Sequence, residues 1–248
     1  MLSLFDPSAG TVTPVVPARP RQLRTCTAGA AGGEPGEAGA LRSYVVADVI
    51  RRVAERHSLL VTAWHAAGES AAGGHALAAA WAALNIHPLE PVPEPPAALD
   101  LGIGPQPVQA GARWLQAAPA RPADGAGMSL AAISGRGLDP LALRLVFLQQ
   151  HYGEAVELTW AGLAAADRTV REWRALVADW ANSPSKPMCA QYTADIRDAF
   201  DNDLDTPAAL RVVAALAADP QIPAGSKFES FAWTDHLLGL DLARDIGR

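Results

Sequence analysis

The chain has 248 residues, half of them hydrophobic and 19% charged, enough for a folded protein with a sizeable core. Its formal net charge of −6 removes the bulk basic character on which nucleic-acid binding rests, and Cys26 and Cys189, far apart, form neither a disulfide framework nor a paired metal-ligand motif. No apolar run reaches the roughly 18 residues of a membrane span and no basic-then-apolar leader opens the chain, so no membrane contact and a cytoplasmic location are expected.

Leu2–Asp6 and Thr11–Val16 read as a hairpin across Pro7–Gly10. Leu23–Cys26 is a short strand, and Ala28–Gly39 has loop composition. Ser43 is the expected cap of a helix that carries Val45, Val46, Val49, Ile50 and Val53 on one face and Arg51, Arg52 and Glu55 on the other. Leu59–Trp64 reads as a buried strand. The unit is strand, loop, helix, strand, with the two strands parallel and adjacent. A glycine-rich turn feeding such a helix is where an α/β nucleotide-binding fold places its ligand.

Ala66–Gly74 reads as loop and Ala76–Leu84 as a second helix. Pro88–Pro96 reads as an extended connector, because its prolines cannot continue a helix. Leu99–Ile103 is expected as a strand edge, Ala112–Ala118 has no decisive pattern, and Ala120–Gly127 is loop. The character then changes. Asp139-Pro140 opens a helix to about His151 in cap-then-proline order. Thr159 caps a helix from Trp160 to Trp180, followed by helices over Pro187–Phe200, Asp205–Ala218 and Lys227–Gly239. Four helices with short connections predict a bundle, with Trp160, Trp173, Trp180, Phe200, Phe228 and Trp233 as its core. Arg19, Arg21 and Arg24, like Arg168, Arg171 and Arg174, read as solvated faces.

Several segments then line up in order with one family. Leu4-Phe5-Asp6, Pro14-Val15-Val16 and Cys26 open the match, and Arg42-Ser43-Tyr44-Val45-Val46-Ala47-Asp48-Val49-Ile50-Arg51-Arg52 continues it. Ala83-Leu84-Asn85-Ile86, Leu99-Asp100-Leu101, Asp139-Pro140-Leu141 with His151-Tyr152, and Asp203-Leu204-Asp205-Thr206-Pro207 follow, then Gly225–Glu229 and Leu237–Leu240. These segments resemble class I cysteinyl-tRNA synthetases and the related mycothiol-pathway ligase that joins cysteine to a glucosaminyl-inositol. The resemblance implies a reduced, Rossmann-like α/β catalytic core over residues 1–127, without the long connective insertion because Pro96 runs almost straight to Leu99. It implies a KMSKS-like connection over 128–158 and an α-helical, stem-contact-like bundle over 159–248, with no anticodon-reading domain. By the same resemblance, a vestigial nucleotide pocket for ATP or AMP falls on Gly39, Asp100, Met128 and Ser129. Asp100 is read equally as a ribose contact or as a strand-end capping carboxylate.

The departures from the family concern the chemistry. Where its HIGH signature supplies two imidazoles, this chain reads Glu37-Ala38-Gly39-Ala40, which keeps the glycine and adds a carboxylate. Where KMSKS supplies lysines, it reads Gly127-Met128-Ser129-Leu130-Ala131. Stabilisers of this kind are worth about 2.7–4 kcal/mol each in the transition state. The family holds cysteine on zinc. Here Cys26 has the wrong spacing to Gly39, Gly102–Gln106 replaces the histidine-glutamate run, and His57, His65, His75 and His87 show no close pairing, so zinc is not expected. Together these features predict a degenerate paralogue with no catalytic residues, reused as a binding or accessory protein. Its ligand would be a nucleotide or other small molecule, a protein partner or, less favoured by the charge, tRNA. The competing readings are an adenylate-forming ligase with an altered acceptor, in which the amides of Gly36–Ala40 face an anion, and an interaction subunit that dimerises through the bundle.

Overall fold

The computed structural model describes residues 1–29, 37–66, 71–109, 112–123 and 127–248. The hairpin forms as expected. β1 (Ser3–Asp6) pairs antiparallel with β2 (Thr11–Pro14), with Leu4 opposite Thr13. The Asp6 carboxylate accepts from the Ser8 amide at 2.9 Å, and Gly10 takes a φ of +68°, which closes the turn.

Five parallel strands build the main sheet. They are β3 (Gln22–Thr27), β4 (Leu60–Ala66), β5 (Glu90–Val92), β6 (Leu101–Gly104) and β7 (Trp114–Gln116), in the spatial order β5-β4-β3-β6-β7. Numbered along the chain, that is 3-2-1-4-5, the order of a doubly wound Rossmann-like sheet. β3 and β4 are parallel neighbours, as the strand-helix-strand pattern required, with Leu23 opposite Val61. The order reverses between β3 and β6. Leu101–Gly104 is therefore a central strand rather than an edge, since it bonds β3 on one side and β7 on the other. The outer places belong to β7 and to β5, the latter inside the proline-rich connector. Pro91 fits there because an outermost strand needs ladder bonds on one side alone.

α1 (Arg42–Arg56) links β3 to β4, and α2 (Ala71–Ala83) links β4 to β5. Ser43 is not the cap of α1. A 3-10 turn over Ala38–Leu41 runs directly into the helix, so the first amides are already inside a hydrogen-bonded turn and Ser43 lies buried in the first helical turn. α2 begins at Ala71, within a stretch expected to be loop. The expected loop over Ala28–Gly39 and the Gly36 end of the expected anion turn lie largely outside the described residues. β8 (Ala120–Pro122) pairs parallel with β9 (Val156–Leu158), and α3 (Leu130–Gly135) and α4 (Leu141–Leu148) lie between them in sequence. Three-residue strands carry no readable periodicity, which is why β7, β8 and β9 were not evident from sequence.

The bundle consists of α5 (Trp160–Trp180), α6 (Ala190–Asp201), α7 (Thr206–Ala218) and α8 (Ala224–Leu238). Its caps match the sequence. The Thr159 hydroxyl accepts from Gly162 N at 2.9 Å and the Asp205 carboxylate from Ala208 N at 2.8 Å. Trp173 and Trp180 meet Phe231 edge-on, with ring centroids 6.0 and 5.1 Å apart. Phe200 is buried with them, whereas Trp160, Phe228 and Trp233 are half-buried against the core. Trp160 carries Arg136 over its face at 3.8 Å.

Two of the expected solvated arginines are buried. Arg24 pairs with Asp100 at 3.2 Å. Arg174 pairs with Asp139 at 2.5 Å and donates to the carbonyls of Leu240 and Asp241. A third buried cluster joins the sheet region to the bundle. Asp48 of α1, fully enclosed, accepts from Arg144 of α4, Arg52 and His87, at 2.6, 2.6 and 2.7 Å. Arg144 also donates to the carbonyls of Leu84 and Leu238.

Candidate functional site

In a doubly wound sheet the ligand crevice lies beyond the carboxyl ends of the strands, where the strand order reverses. A cleft of about 930 Å³ occupies that place. Ala28 and Gly29 continue β3 into one wall, and Pro105 to Val108 continue β6 into another. Residues 117–122 pass along the cleft, with Glu37, Gly39, Ala40, Arg42 and Ser43 on the α1 side and Gly127 and Met128 before α3. Small side chains and backbone dominate. Gly104, just before this wall, is close-packed, since a Cβ there would lie 3.0 Å from the Ala28 carbonyl oxygen.

The turn before α1 and the segment before α3 are tied together through backbone. Ala38 N donates to Met128 O at 2.8 Å, and Glu37 forms a β-bridge with Ser129. Gly39 fits because a Cβ at its position would be 2.4 Å from the Ala120 carbonyl oxygen, so only a residue without a side chain permits that approach. Met128 is buried. The Ser129 hydroxyl caps α3 by accepting from Ala132 N at 3.1 Å. Of the four residues expected at the pocket, Gly39 and Met128 line the cleft, while Ser129 is outside the lining and is held beside them through its bridge to Glu37.

Asp100 does not join them. It precedes β6, at the amino end of the strand, while the cleft opens at the carboxyl end. Its carboxylate accepts from Ala18 N at 2.9 Å, Arg24 N at 2.8 Å, and Arg24 Nε and Nη2, both at 3.2 Å. Burial alone would raise its pKa, but these hydrogen bonds and the guanidinium charge outweigh it and hold the carboxyl below the usual range. The strand-end capping role is the one this geometry matches.

Arg42, quoted above for the resemblance but not as a site residue, organises the cleft floor. Its buried guanidinium donates to the carbonyls of Ala118 at 2.8 Å, Pro119 at 3.4 Å, His151 at 2.8 Å and Glu154. Burial lowers its pKa to about 10. Four carbonyls from two chain segments converge on one side chain, so Arg42 fixes the path of residues 118 and 119 along the cleft. The sequence signal was an arginine opening a helix whose first two turns are largely apolar.

No imidazole or ammonium group lines the cleft among the described residues. The segments 30–36, 67–70, 110–111 and 124–126 contain no histidine, lysine or arginine. His65, at the end of β4, packs edge-on against Trp81 at 5.0 Å, and burial lowers its pKa. His57 pairs with Asp201 at 2.6 Å, and His87 with Asp48. Burial pushes the Cys26 thiol up to about 11, so it is protonated at neutral pH. Among the described residues no three His, Cys, Asp or Glu side chains are placed to hold a metal ion.

No family model matches the chain. Curated relatives do. An L-cysteine:1D-myo-inositol 2-amino-2-deoxy-alpha-D-glucopyranoside ligase of Parafrankia sp. is 39% identical over 126 residues, 46% of this chain and 27% of the ligase. Ligases of the same name from Beutenbergia cavernae (42% over 82 residues, 33% of this chain and 19% of the ligase) and Thermobifida fusca (37% over 116 residues, 44% and 26%) are also similar. Each match thus spans between 19% and 27% of the relative's own length. Over a third to just under half of its length, the chain is a homologue of these cysteine ligases.

Proposed function

We propose that this protein descends from an ATP-dependent cysteine ligase, retains a cleft for a nucleoside-type ligand lined by Gly39 and Met128, and does not activate cysteine. Its role would be that of a binding or accessory protein. The observation that carries this reading is the cleft lining, which has no imidazole or ammonium group among the described residues. Adenylation moves negative charge across a triphosphate, and preorganised cations are the usual way to stabilise it. Two missing stabilisers at about 2.7–4 kcal/mol each remove about 5–8 kcal/mol, a factor of roughly 10⁴ to 10⁶ in rate. Asp100 is left out of the proposed site because Arg24 and Ala18 engage its carboxylate at the far end of β6.

The test is cysteine-dependent ATP–pyrophosphate exchange. The expected outcome is no exchange above a protein-free control. Exchange that rises with cysteine concentration refutes the proposal and favours an active adenylate-forming ligase, the reading that the relatives' names support.

A further inference from the structure

We propose that the turn between α6 and α7, residues 202–205, is a proton-operated latch: with His151 protonated it holds the N-terminal hairpin and the cleft wall at Ala118 in one arrangement, and with His151 neutral it loosens both. The latch residues Asp203, His151 and Tyr152 are not among the cleft lining, and their action holds whatever the cleft binds.

Asp203 is the hub of the latch. Its amide donates to Ser3 O at 2.9 Å, and one carboxylate oxygen accepts from Phe5 N at 2.6 Å and from the Tyr152 hydroxyl at 2.5 Å. Its carbonyl accepts from His151 Nε2 at 2.8 Å, and the second carboxylate oxygen stands 3.5 Å from the same nitrogen. The turn carries backbone strain. Asp203 and Leu204 have φ of +58° and +50°, and left-handed backbone is costly for a bulky side chain such as the buried leucine. Contacts from outside the turn therefore have to hold it.

His151 and Tyr152 face two ways. Their side chains reach Asp203, while their carbonyls accept from the cleft wall. His151 O accepts from Arg42 Nη2 at 2.8 Å, and Tyr152 O from Ala118 N at 2.9 Å. Arg42 and Ala118 both line the cleft, and Arg42 Nη1 donates to Ala118 O at 2.8 Å. The hairpin, the strained turn and the cleft wall thus meet on two adjacent residues.

Charge sets the direction of the switch. Asp203 and Asp205 are the acids that act on the His151 ring. Glu154 is exposed, Arg42 stands at the His151 carbonyl, and Arg113 grips the hairpin through the carbonyls of Leu4, Thr13 and Pro14. Burial alone would raise the Asp203 carboxyl, but hydrogen bonds from His151, Tyr152 and Phe5 outweigh it and keep it ionised. Burial pushes the Tyr152 hydroxyl up, so it stays neutral. Hydrogen bonding to Asp203 holds the His151 imidazole above its ordinary value. The ring is therefore charged below about pH 6.5 and loses its proton as pH rises through the higher folded value. The charge attraction to Asp203 goes with it, and the neutral ring gains in return a long bond at 3.3 Å from Gly153 N to Nδ1.

The test is an NMR titration of the full chain from about pH 5.5 to about pH 8.5, the range in which imidazoles titrate. The amides of Phe5 and Ala118 are expected to shift with the midpoint of the His151 ring. Their protection against hydrogen exchange is expected to fall by up to about fivefold across it, the worth of one partly exposed ion pair. In His151→Gln the transition should vanish at both amides. In His57→Gln, whose ring pairs with Asp201 at the end of α6, it should persist. No transition at either amide, or one that survives in His151→Gln, overturns the latch. Loss of the transition in His57→Gln assigns the proton to the wrong ring and overturns it as well. A transition at only one of the two amides overturns the link between hairpin and cleft wall.

Discussion

Asp48→Asn keeps the shape of a buried side chain and removes its charge. In the parent protein both carboxylate oxygens are enclosed, and they accept from Arg144, Arg52, and the ring and backbone of His87. Arg144 itself has no exposed side-chain surface. Asparagine can still accept a hydrogen bond but cannot neutralise that guanidinium. The variant therefore leaves a desolvated cation without a counterion, a change that typically costs about 3–5 kcal/mol. This is a large part of the 5–15 kcal/mol by which a protein of ordinary stability is folded. With a urea slope of about 3 kcal/mol/M, the unfolding midpoint should fall by about 1–1.7 M. Asp201→Asn is the control. Asp201 pairs with the exposed N-terminal ammonium and the partly exposed His57, so its loss should cost less than about 1 kcal/mol. The double variant Asp48→Asn/Arg144→Met should recover stability relative to Asp48→Asn alone, because it also removes the orphaned cation. The pH dependence is a further check. Burial alone would raise the Asp48 carboxyl, but Arg144, His87 and Arg52 outweigh it and hold it well below the usual range. Its contribution is therefore complete above about pH 3.9 and disappears as pH falls through the lower folded value, where parent and variant converge. A midpoint within about 0.3 M of the parent at pH 7 would refute the claim that this cluster locks the sheet region to the bundle.

Gly39→Ala forces either the turn or β8 to move, since the added Cβ would lie 2.4 Å from the Ala120 oxygen. Overpacking of this kind costs about 1–3 kcal/mol, seen as a melting temperature lower by about 2–12 °C. Gly127→Ala, with nothing within 4 Å of the new Cβ among the described residues, should melt with the parent, and equal melting of both variants would contradict the close approach. His151→Gln addresses the contact between α4 and the turn before α7. Hydrogen bonding to Asp203 holds the His151 imidazole above its ordinary value, so its stabilisation is complete below about pH 6.5 and declines as pH rises through the folded value. The difference in urea midpoint between parent and His151→Gln should therefore narrow from pH 6 to pH 8. A constant difference would rule this out.

The elements legible in the sequence are those whose signals are local. Asp205, Thr159 and the Asp139-Pro140 pair announce helix starts through the chemistry of one or two residues, and each helix begins within two positions of its signal. The hairpin is legible because its turn residues sit between its own strands. The short strands are different. β8 exists because Val156–Leu158 lies alongside it, over 30 residues later in the chain, and nothing in Ala120-Arg121-Pro122 encodes that partner. The buried arginines follow the same logic. Arg24 and Arg174 look like solvated cations until Asp100 and Asp139, supplied by distant segments, make burial affordable in charge.

The pocket residues separate along the same line. Gly39 and Met128 could be placed together because each lies in a short motif that names a backbone position, and backbone positions survive substitution of their neighbours. Asp100 was assigned by likeness to a strand, and a strand's direction and register decide which of its ends faces the ligand. Asp100 N bonds Arg24 O, and Thr25 stands opposite Leu101. That register puts Asp100 beside Arg24 in the middle of β3, four residues short of Ala28, where the cleft begins. The residues that reach the cleft beyond β6 are Pro105 to Val108, and Gly104 before them is close-packed, since a Cβ there would lie 3.0 Å from the Ala28 oxygen. At the end of β6 the sequence supplies glycine, so no carboxylate from this strand faces the cleft.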